Sequence, residues 1–177
     1  TEGDSALTFA IKLCSYLPNQ AGRDYIGYYP LRGKPLNVMN APFDQIMANK
    51  EINDLKTVLG LRERVDYTID ENYETLRYGH LMVCADADND GLHILGLVLN
   101  LFYCKYPTLL ARGYVKYLKT KILDVRKGKQ MIKFYTHHEY NEWKKVTPDY
   151  QKWTHNYFKG LGTNENDDIK DESQSPN

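Results

Sequence analysis

The sequence predicts an α/β fold in which a parallel sheet is flanked by helices. A short apolar run at residues 81–85 ends abruptly in acidic residues and a glycine. Such a run is typical of a strand that is buried on both faces, as in a parallel sheet. Residues 92–103 then form a second apolar segment, and residues 42–59 carry apolar residues at helical spacing. Strands that alternate with helices in this way indicate α/β architecture.

The first predicted helix lies within residues 4–17, where apolar residues recur at helical spacing. Asp4 or Ser5 is the expected N-cap of this helix. Glu2 would then lie just before a helix N-terminus, where a loop normally follows a strand. Because only Thr1 precedes Glu2, we expect the chain to begin inside a larger protein.

The next predicted elements are a short strand at residues 22–30 and a single helix over residues 42–59. Pro42 suits the first turn of that helix and Gly60 its end. Residues 62–75 are polar and mixed in character, which indicates a surface excursion before the central strand.

The second half of the chain has the pattern of a hairpin followed by a helix. Residues 113–125 alternate like an extended strand, and residues 131–136 are its expected partner across a turn at residues 127–129. A short helix is predicted at residues 137–146, and a strand that leads into a glycine turn at residues 157–163. Three lysines of this region are expected on a solvated strand face: Lys116, Lys119 and Lys121.

These elements predict one domain over residues 1–163, with a hairpin-containing insertion at 113–150. Residues 164–177 consist mainly of Asn, Asp, Glu, Ser and Pro without apolar periodicity, so they are predicted to form a disordered polar tail. The composition excludes a global electrostatic attraction to polyanions, because 23 basic residues balance 23 acidic ones. No run of about 18 apolar residues and no charged-then-apolar leader is present, so neither a membrane span nor a signal peptide is predicted.

The three cysteines lie in apolar runs and lack zinc-site spacing, which indicates buried free thiols in a reducing compartment: Cys14, Cys84 and Cys104.

The acidic run after the central strand is the main functional signal. Asp86, Asp88 and Asp90 are spaced two residues apart at the carboxyl end of the strand, where open α/β sheets bind ligands. Carboxylates this close repel one another, and a hard divalent cation with oxygen ligands would relieve the repulsion. The alternative is a solvated acidic turn that caps the following helix.

Two other kinds of acidic motif fit less well. A calcium EF-hand requires a bidentate glutamate at its twelfth position, which is Leu97 here. A phosphotransferase with a nucleophilic aspartate has Thr or Val where Asp90 stands. A site whose carboxylates hold magnesium for phosphodiester chemistry is compatible with both Leu97 and Asp90.

Basic residues occur in two glycine contexts. Gly33 between Arg32 and Lys34 would let the backbone approach a polyanion, and Arg32 can bind a phosphate through two hydrogen bonds. Lys159 precedes a glycine, which favours close backbone approach. The alternative for each is an ordinary solvated surface cation.

Four motifs occur in a fixed order: EGDSA at 2–6, PLRGK at 30–34, DADNDGLH at 86–93 and KGLGT at 159–163. Together they resemble the Toprim region of type IIA DNA topoisomerases. Leu7, residues 22–25 and residues 76–80 resemble the eukaryotic and large-DNA-virus branch of that family rather than bacterial gyrase. The resemblance implies a Rossmann-like parallel sheet, with the glutamate of the first motif and the aspartates of the third meeting at its carboxyl edge.

The resemblance also implies site residues. Glu2 would be the catalytic general acid and base, and two Mg²⁺ sites are expected on Glu2, Asp86, Asp88 and Asp90. The implied DNA contacts are Arg32, Lys34, Asn37, His93 and Lys159. For Asp90, the alternative to binding the metal directly is to support the other ligands. For His93, the alternative to contacting DNA is to make a structural hydrogen bond. Departures from the family pattern occur at Asn89, Leu92 and Leu95, and none of them removes a carboxylate.

For the intact protein, the resemblance implies an ATP-dependent DNA topoisomerase II that passes one duplex through another. ATP would be used by another domain, double-stranded DNA would be the partner, and the enzyme would be a homodimer without membrane association. Its location would be the nucleus of a cellular eukaryote, or the host cell or virion for a virus. The nucleophilic tyrosine would lie outside this chain, which is therefore expected to be inactive alone. The alternatives are a Toprim-type nuclease or primase, and a non-catalytic DNA-binding module.

Overall fold

The computed structural model describes residues 1–17, 24–163, 166, 169, 170 and 173. Its longer helices are α1 (Gly3–Ser15), α2 (Phe43–Ala48), α3 (Lys50–Leu59), α4 (Asp70–Tyr73), α5 (Asn89–Lys105), α6 (Pro107–Ala111) and α7 (His137–Val146). Short 3₁₀ helices occupy Tyr150–Lys152 and Leu161–Thr163. The strands are β1 (Leu81–Val83), β2 (Val115–Tyr117), β3 (Leu123–Lys127), β4 (Gln130–Phe134) and β5 (Thr154–Tyr157).

The parallel sheet within the described residues is small. Strands β1 and β2 pair in parallel, and an isolated parallel bridge joins Glu2 to Leu31. The backbone N–H of Glu2 donates to the carbonyl of Cys84 at 3.0 Å, which attaches this bridge to the end of β1. The predicted α/β class is therefore confirmed in its coarse form. Burial of β1 on both faces was wrong, because Met82 is 50% exposed.

The start of the chain differs from the prediction in the position of the cap. Glu2 occupies the N-cap position of α1 without a side-chain capping bond, and Asp4 and Ser5 lie inside the first turn. Gly3 has a positive φ of 69°, which lets the chain turn from the bridge at Glu2 directly into the helix. The prediction that Asp4 or Ser5 caps α1 was therefore wrong.

The predicted helix over residues 42–59 is two helices. Asn49 is extended, with ψ of 114°, and its side chain accepts a hydrogen bond from the N–H of Ile52 as the N-cap of α3. The predicted strand at residues 22–30 does not form in its described part, where residues 24–25 are helical and 26–30 are irregular. Pro30 has no N–H to donate to a neighbouring strand.

The main core packs α5 against α3 and β1, and it includes part of the predicted surface excursion. Tyr67 is fully buried, and its hydroxyl accepts a hydrogen bond from the N–H of Arg62 at 2.7 Å. Its ring joins Phe102 of α5 and Tyr114 in the same cluster. The excursion is therefore anchored to the core by Tyr67, and Val65 and Tyr73 pack against the same cluster.

The second sheet is antiparallel, in the order β4–β3–β5. The predicted hairpin is confirmed as β3 and β4, and the predicted helix at 137–146 is α7. Strand β5 pairs with β3 although it lies outside the predicted insertion at 113–150. The predicted strand at 113–125 is instead β2 and β3 with an irregular segment between them.

Four residues of the predicted tail at 164–177 are described, and they are helical. One of them, Ile169, is buried against Phe9 of α1, because it is an apolar residue in an otherwise polar segment. The rest of the predicted tail lies outside the described residues. Cys84 is buried as expected, whereas Cys104 is exposed on α5. No helix in the described part of the chain is long and apolar enough to span a membrane.

Candidate functional site

Two carboxylate residues from distant parts of the chain meet at the carboxyl end of β1. Glu2 reaches this edge through its bridge to Leu31, and Asp86 lies three residues beyond Val83, the last residue of β1. Glu2 Oε2 accepts a hydrogen bond from the backbone N–H of Asp86 at 3.0 Å. Asp86 Oδ1 in turn accepts one from the backbone N–H of Leu161 at 2.8 Å. The first and last of the four motifs therefore both contact Asp86.

Asp88 is the N-cap of α5. Its backbone is extended, and its Oδ1 accepts a hydrogen bond from the N–H of Gly91 at 2.9 Å. The capping alternative for the acidic run is thus confirmed for this one residue. Gly91 packs so closely on the preceding turn that an added Cβ would lie 2.0 Å from the carbonyl oxygen of Asp86. The helix N-terminus, which favours negative charge, therefore lies beside the carboxylates.

Tyr117, at the end of β2, pairs with Val83 at the end of β1, so it lies at the same edge of the sheet as the carboxylates. Burial is the largest cause that raises the pKa of this hydroxyl. The neighbouring groups that raise it further are Cys84, Asp86, Asp88 and Glu2. Anions raise the pKa of a phenol by disfavouring its charged form.

Asp90 makes a different contact. It is exposed, and its Oδ1 accepts a hydrogen bond from Lys34 Nζ at 2.7 Å. This bond and the charge of Lys34 hold the pKa of Asp90 below its ordinary value. The acidic run is therefore divided between the edge of β1 and the basic turn of the second motif.

The fit of a divalent cation rests on donor chemistry. Carboxylate oxygens are the ligands that Mg²⁺ prefers, and a carboxylate that accepts one backbone hydrogen bond keeps further acceptor capacity. Glu2, Asp86 and Asp88 are carboxylates of this kind, because each accepts a hydrogen bond from a backbone N–H. Among the described residues, no group of three or more His, Cys, Asp or Glu side chains is arranged to hold a metal ion. These carboxylates suit Mg²⁺ chemically. The arrangement of the ligands around the ion stays a prediction.

A cleft of about 880 Å³ lies beside the start of α1. Its lining includes Gly3, Arg32 and Lys34, together with Lys50 and Glu51 at the start of α3. The backbone N–H of Arg32 donates to Glu51 Oε1 at 2.9 Å, which fixes the basic turn against α3. The side chains of Arg32 and Lys34 remain exposed at this cleft.

The other predicted DNA contacts are also exposed but more widely spread. His93 lies in the first turns of α5, within electrostatic reach of Asp90. Lys159 immediately precedes the glycine that contacts Asp86. Asn37 Oδ1 accepts a hydrogen bond from the N–H of Met39 at 3.2 Å, so this residue shapes its own turn.

Sequence reasoning missed two features of this site. It treated Gly160 as a general aid to close approach, although an added Cβ there would lie 2.5 Å from Asp86 Oδ2. It also did not pair Lys34 with Asp90. A glycine directly after a lysine at a strand end was the available signal for the first feature. Opposite charges in separate motifs were the signal for the second.

Comparisons with known proteins show which sequences and structures this chain resembles. The family model described as "C-terminal associated domain of TOPRIM" matches residues 118–174. DNA topoisomerase 2-alpha of Mus musculus is 43% identical over 171 residues, and that of Homo sapiens is 42% identical over the same length. Each alignment covers 97% of this chain and 11% of the relative, so the chain spans about a tenth of the relatives' length.

A solved structure is also similar. It is the crystal structure of the Plasmodium falciparum topoisomerase II DNA-binding, cleavage and re-ligation domain, with a TM-score of 0.85 and 39% sequence identity. The match covers 98% of this chain and 23% of that chain.

Proposed function

Since this chain is homologous over nearly its whole length to one segment of eukaryotic DNA topoisomerase 2, we propose that it supplies the Mg²⁺-binding and acid–base part of a DNA cleavage and religation site. The observation that carries the proposal is the hydrogen bond from the Asp86 N–H to the Glu2 carboxylate. This bond joins residues 84 positions apart at the edge where ligands of parallel sheets bind.

Each carboxylate has a distinct part in the proposal. Glu2 protonates the departing 3′ oxygen during cleavage and takes the proton back during resealing. Asp86 and Asp88 are the main Mg²⁺ ligands, and Asp90 supports them from its position beside Lys34. The bound ion would stabilise negative charge on the scissile phosphate and the departing oxygen.

The exposed cations bind the DNA backbone in this proposal. Arg32 and Lys34 do so at the cleft beside α1, and Lys159 at the turn that contacts Asp86. His93 extends the contact at the start of α5, and Asn37 extends it at the turn that follows the basic residues. Because the chain has no net charge, binding depends on this local group and weakens with salt.

The remaining steps belong to the intact protein. ATP use and the nucleophilic tyrosine are assigned to parts outside this chain, and the partner subunit of a homodimer supplies the tyrosine. Passage of one duplex through another therefore requires more than the residues described. The chain alone binds metal and DNA without cutting DNA.

The metal assignment is tested by titrating the chain with Mg²⁺ and measuring binding by calorimetry and by NMR. Asp86→Ala and Asp88→Ala are expected to lose most of the binding, because each removes a carboxylate ligand. Asp44→Ala is the matched control, since Asp44 is an exposed carboxylate at the start of α2. Binding that is unchanged in both site variants would remove the assignment.

A second arm uses the unaltered chain with Mg²⁺ and duplex DNA. The expected result is binding without strand cleavage, because the nucleophile is elsewhere. Cleavage by the chain alone would favour the nuclease alternative instead.

A further inference from the structure

We propose that Gly160 and the backbone N–H of Leu161 are positioning groups that fix the orientation of the Asp86 carboxylate. The inference rests on the proposed function for the role of Asp86 as a metal ligand. The geometric part of the inference is that these two groups determine the direction of the Asp86 carboxylate. This part does not depend on metal binding. Residues of the fourth motif thereby act on the third motif across 75 positions of sequence.

The two carboxylate oxygens have separate contacts. Leu161 N donates to Oδ1 at 2.8 Å. At Gly160, an ideal Cβ would lie 2.5 Å from Oδ2 and 2.9 Å from Cγ, so the carboxylate occupies the space that any side chain would need. Oδ1 is held by the hydrogen bond, and Oδ2 is the oxygen that packs most closely against Gly160. Together these contacts set the rotation of the carboxylate about its Cβ–Cγ bond.

The turn that carries both groups is itself anchored on two sides. Leu161 is 2% exposed and packs with Ala6 and Phe9 of α1. On the other side, the N–H of Phe158 donates to the carbonyl of Ile122 at 3.0 Å. The turn therefore holds a fixed position relative to the end of β1, which a mobile loop would not.

The main chain of Asp86 is also fixed, because its N–H donates to Glu2 Oε2 at 3.0 Å. Hydrogen bonds that orient metal ligands typically change metal affinity by about 10- to 100-fold when they are lost. A side chain at position 160 would displace the carboxylate from Leu161 and from its present direction. Weaker Mg²⁺ binding is the expected consequence.

The first test compares Gly160→Ala with Gly162→Ala in Mg²⁺ titrations. Gly162→Ala is matched because it makes the same change in the same motif, where the new Cβ would meet only the Ser5 side chain, at 3.3 Å. Gly160→Ala should weaken Mg²⁺ binding by about 10-fold or more. Gly162→Ala should bind like the unaltered chain. Equal affinity in the two variants would overturn the proposal.

The second test needs no metal and uses a double-mutant cycle in urea. If the Cβ at position 160 conflicts with the carboxylate, Gly160→Ala should lower the unfolding midpoint much more in the native background than in Asp86→Ala. A chain that fails to fold as Gly160→Ala but folds as the double variant would also support the proposal. An equal effect in both backgrounds would contradict it.

The Leu161 amide gives a readout specific to the hydrogen bond. Asp86→Asn keeps an acceptor oxygen, so hydrogen exchange at the Leu161 amide should stay slow, whereas Asp86→Ala should make it fast. A general loss of stability would accelerate other slow amides equally, and that outcome would contradict a positioning role. Absence of Mg²⁺ binding in the unaltered chain would refute the metal part of the proposed function, while the cycle and the amide would still decide the positioning claim.

Discussion

Lys34 and Asp90 form an ion pair between two motifs, with their charged atoms 2.7 Å apart and side chains 45% and 68% exposed. Lys34→Gln should raise the pKa of Asp90 towards its ordinary value of 3.8, because the hydrogen bond and charge that lower it are removed. The measurement is a carboxyl ¹³C titration. Lys50→Gln, which removes the partner of Asp54 instead, is the control.

The direction of the linked stability follows from the lowered pKa of Asp90. The pair stabilises the fold at pH values above the ordinary aspartate pKa, and this contribution is lost as the pH falls through the lowered value. Solvent screens an exposed pair, so the effect on unfolding is small. An Asp90 pKa that is the same in Lys34→Gln and the unaltered chain would contradict the contact.

For individual residues, the sequence predicts positions that are set by the ends of strands. It does not predict contacts between side chains that are distant in the sequence. Glu2 and Asp86 were expected at one sheet edge, and the structure places them in hydrogen-bond contact. The Lys34 partner is 56 positions away, so the only signal for it was the opposite charge of a separate motif, which does not specify a pair. Lys121 was expected on a solvated face but is buried, because Asp124 lies beside it.

Strand β3 contains a buried charged group that stabilises the antiparallel sheet. Asp124 is fully buried and accepts hydrogen bonds from Lys121, Arg126 and Asn156. Burial raises the pKa of its carboxyl, but these hydrogen bonds outweigh burial and lower the pKa overall. Its stabilising contribution is therefore present at neutral pH and lost as the pH falls through the lowered pKa.

Asp124→Ala should reduce the free energy of unfolding by about 3–5 kcal/mol, because it removes the carboxylate that faces a buried ammonium. Urea denaturation measures the change. Asp149→Ala is the control, since Asp149 pairs with Lys127 at the surface and its loss should have little effect. Equal stability of the two variants would show that the buried group contributes no more than a surface pair.

Elements with short-range signals were predicted well. Helix α7 has a capping box in which Thr136 and Glu139 each accept a backbone hydrogen bond from the other, and the hairpin has its glycine turn. The helix over 42–59 was predicted as continuous because its apolar spacing continues across Asn49. The capping bond from Ile52 to Asn49 prevails over that periodicity and starts a new helix.

For the whole molecule, Leu161 links the turn that follows β5 to α1 through an apolar cluster. Leu161→Ala should lower the free energy of unfolding by about 2–5 kcal/mol, because it leaves a cavity in packed surroundings. Denaturation should be followed both by tryptophan fluorescence, from Trp143 and Trp153 beside the second sheet, and by far-ultraviolet circular dichroism. Leu92→Ala is the control, since Leu92 is 54% exposed. A Leu161→Ala chain as stable as this control would contradict the link.

The two hydrogen bonds of Asp86 have a consequence for folding kinetics. They join residues 84 and 75 positions apart, so each closes a long loop of chain before it contributes any energy. The hairpin of β3 and β4 and the turns of α5 close only short loops and can form early. The carboxylate edge is therefore expected to assemble late, after the elements that carry it have formed.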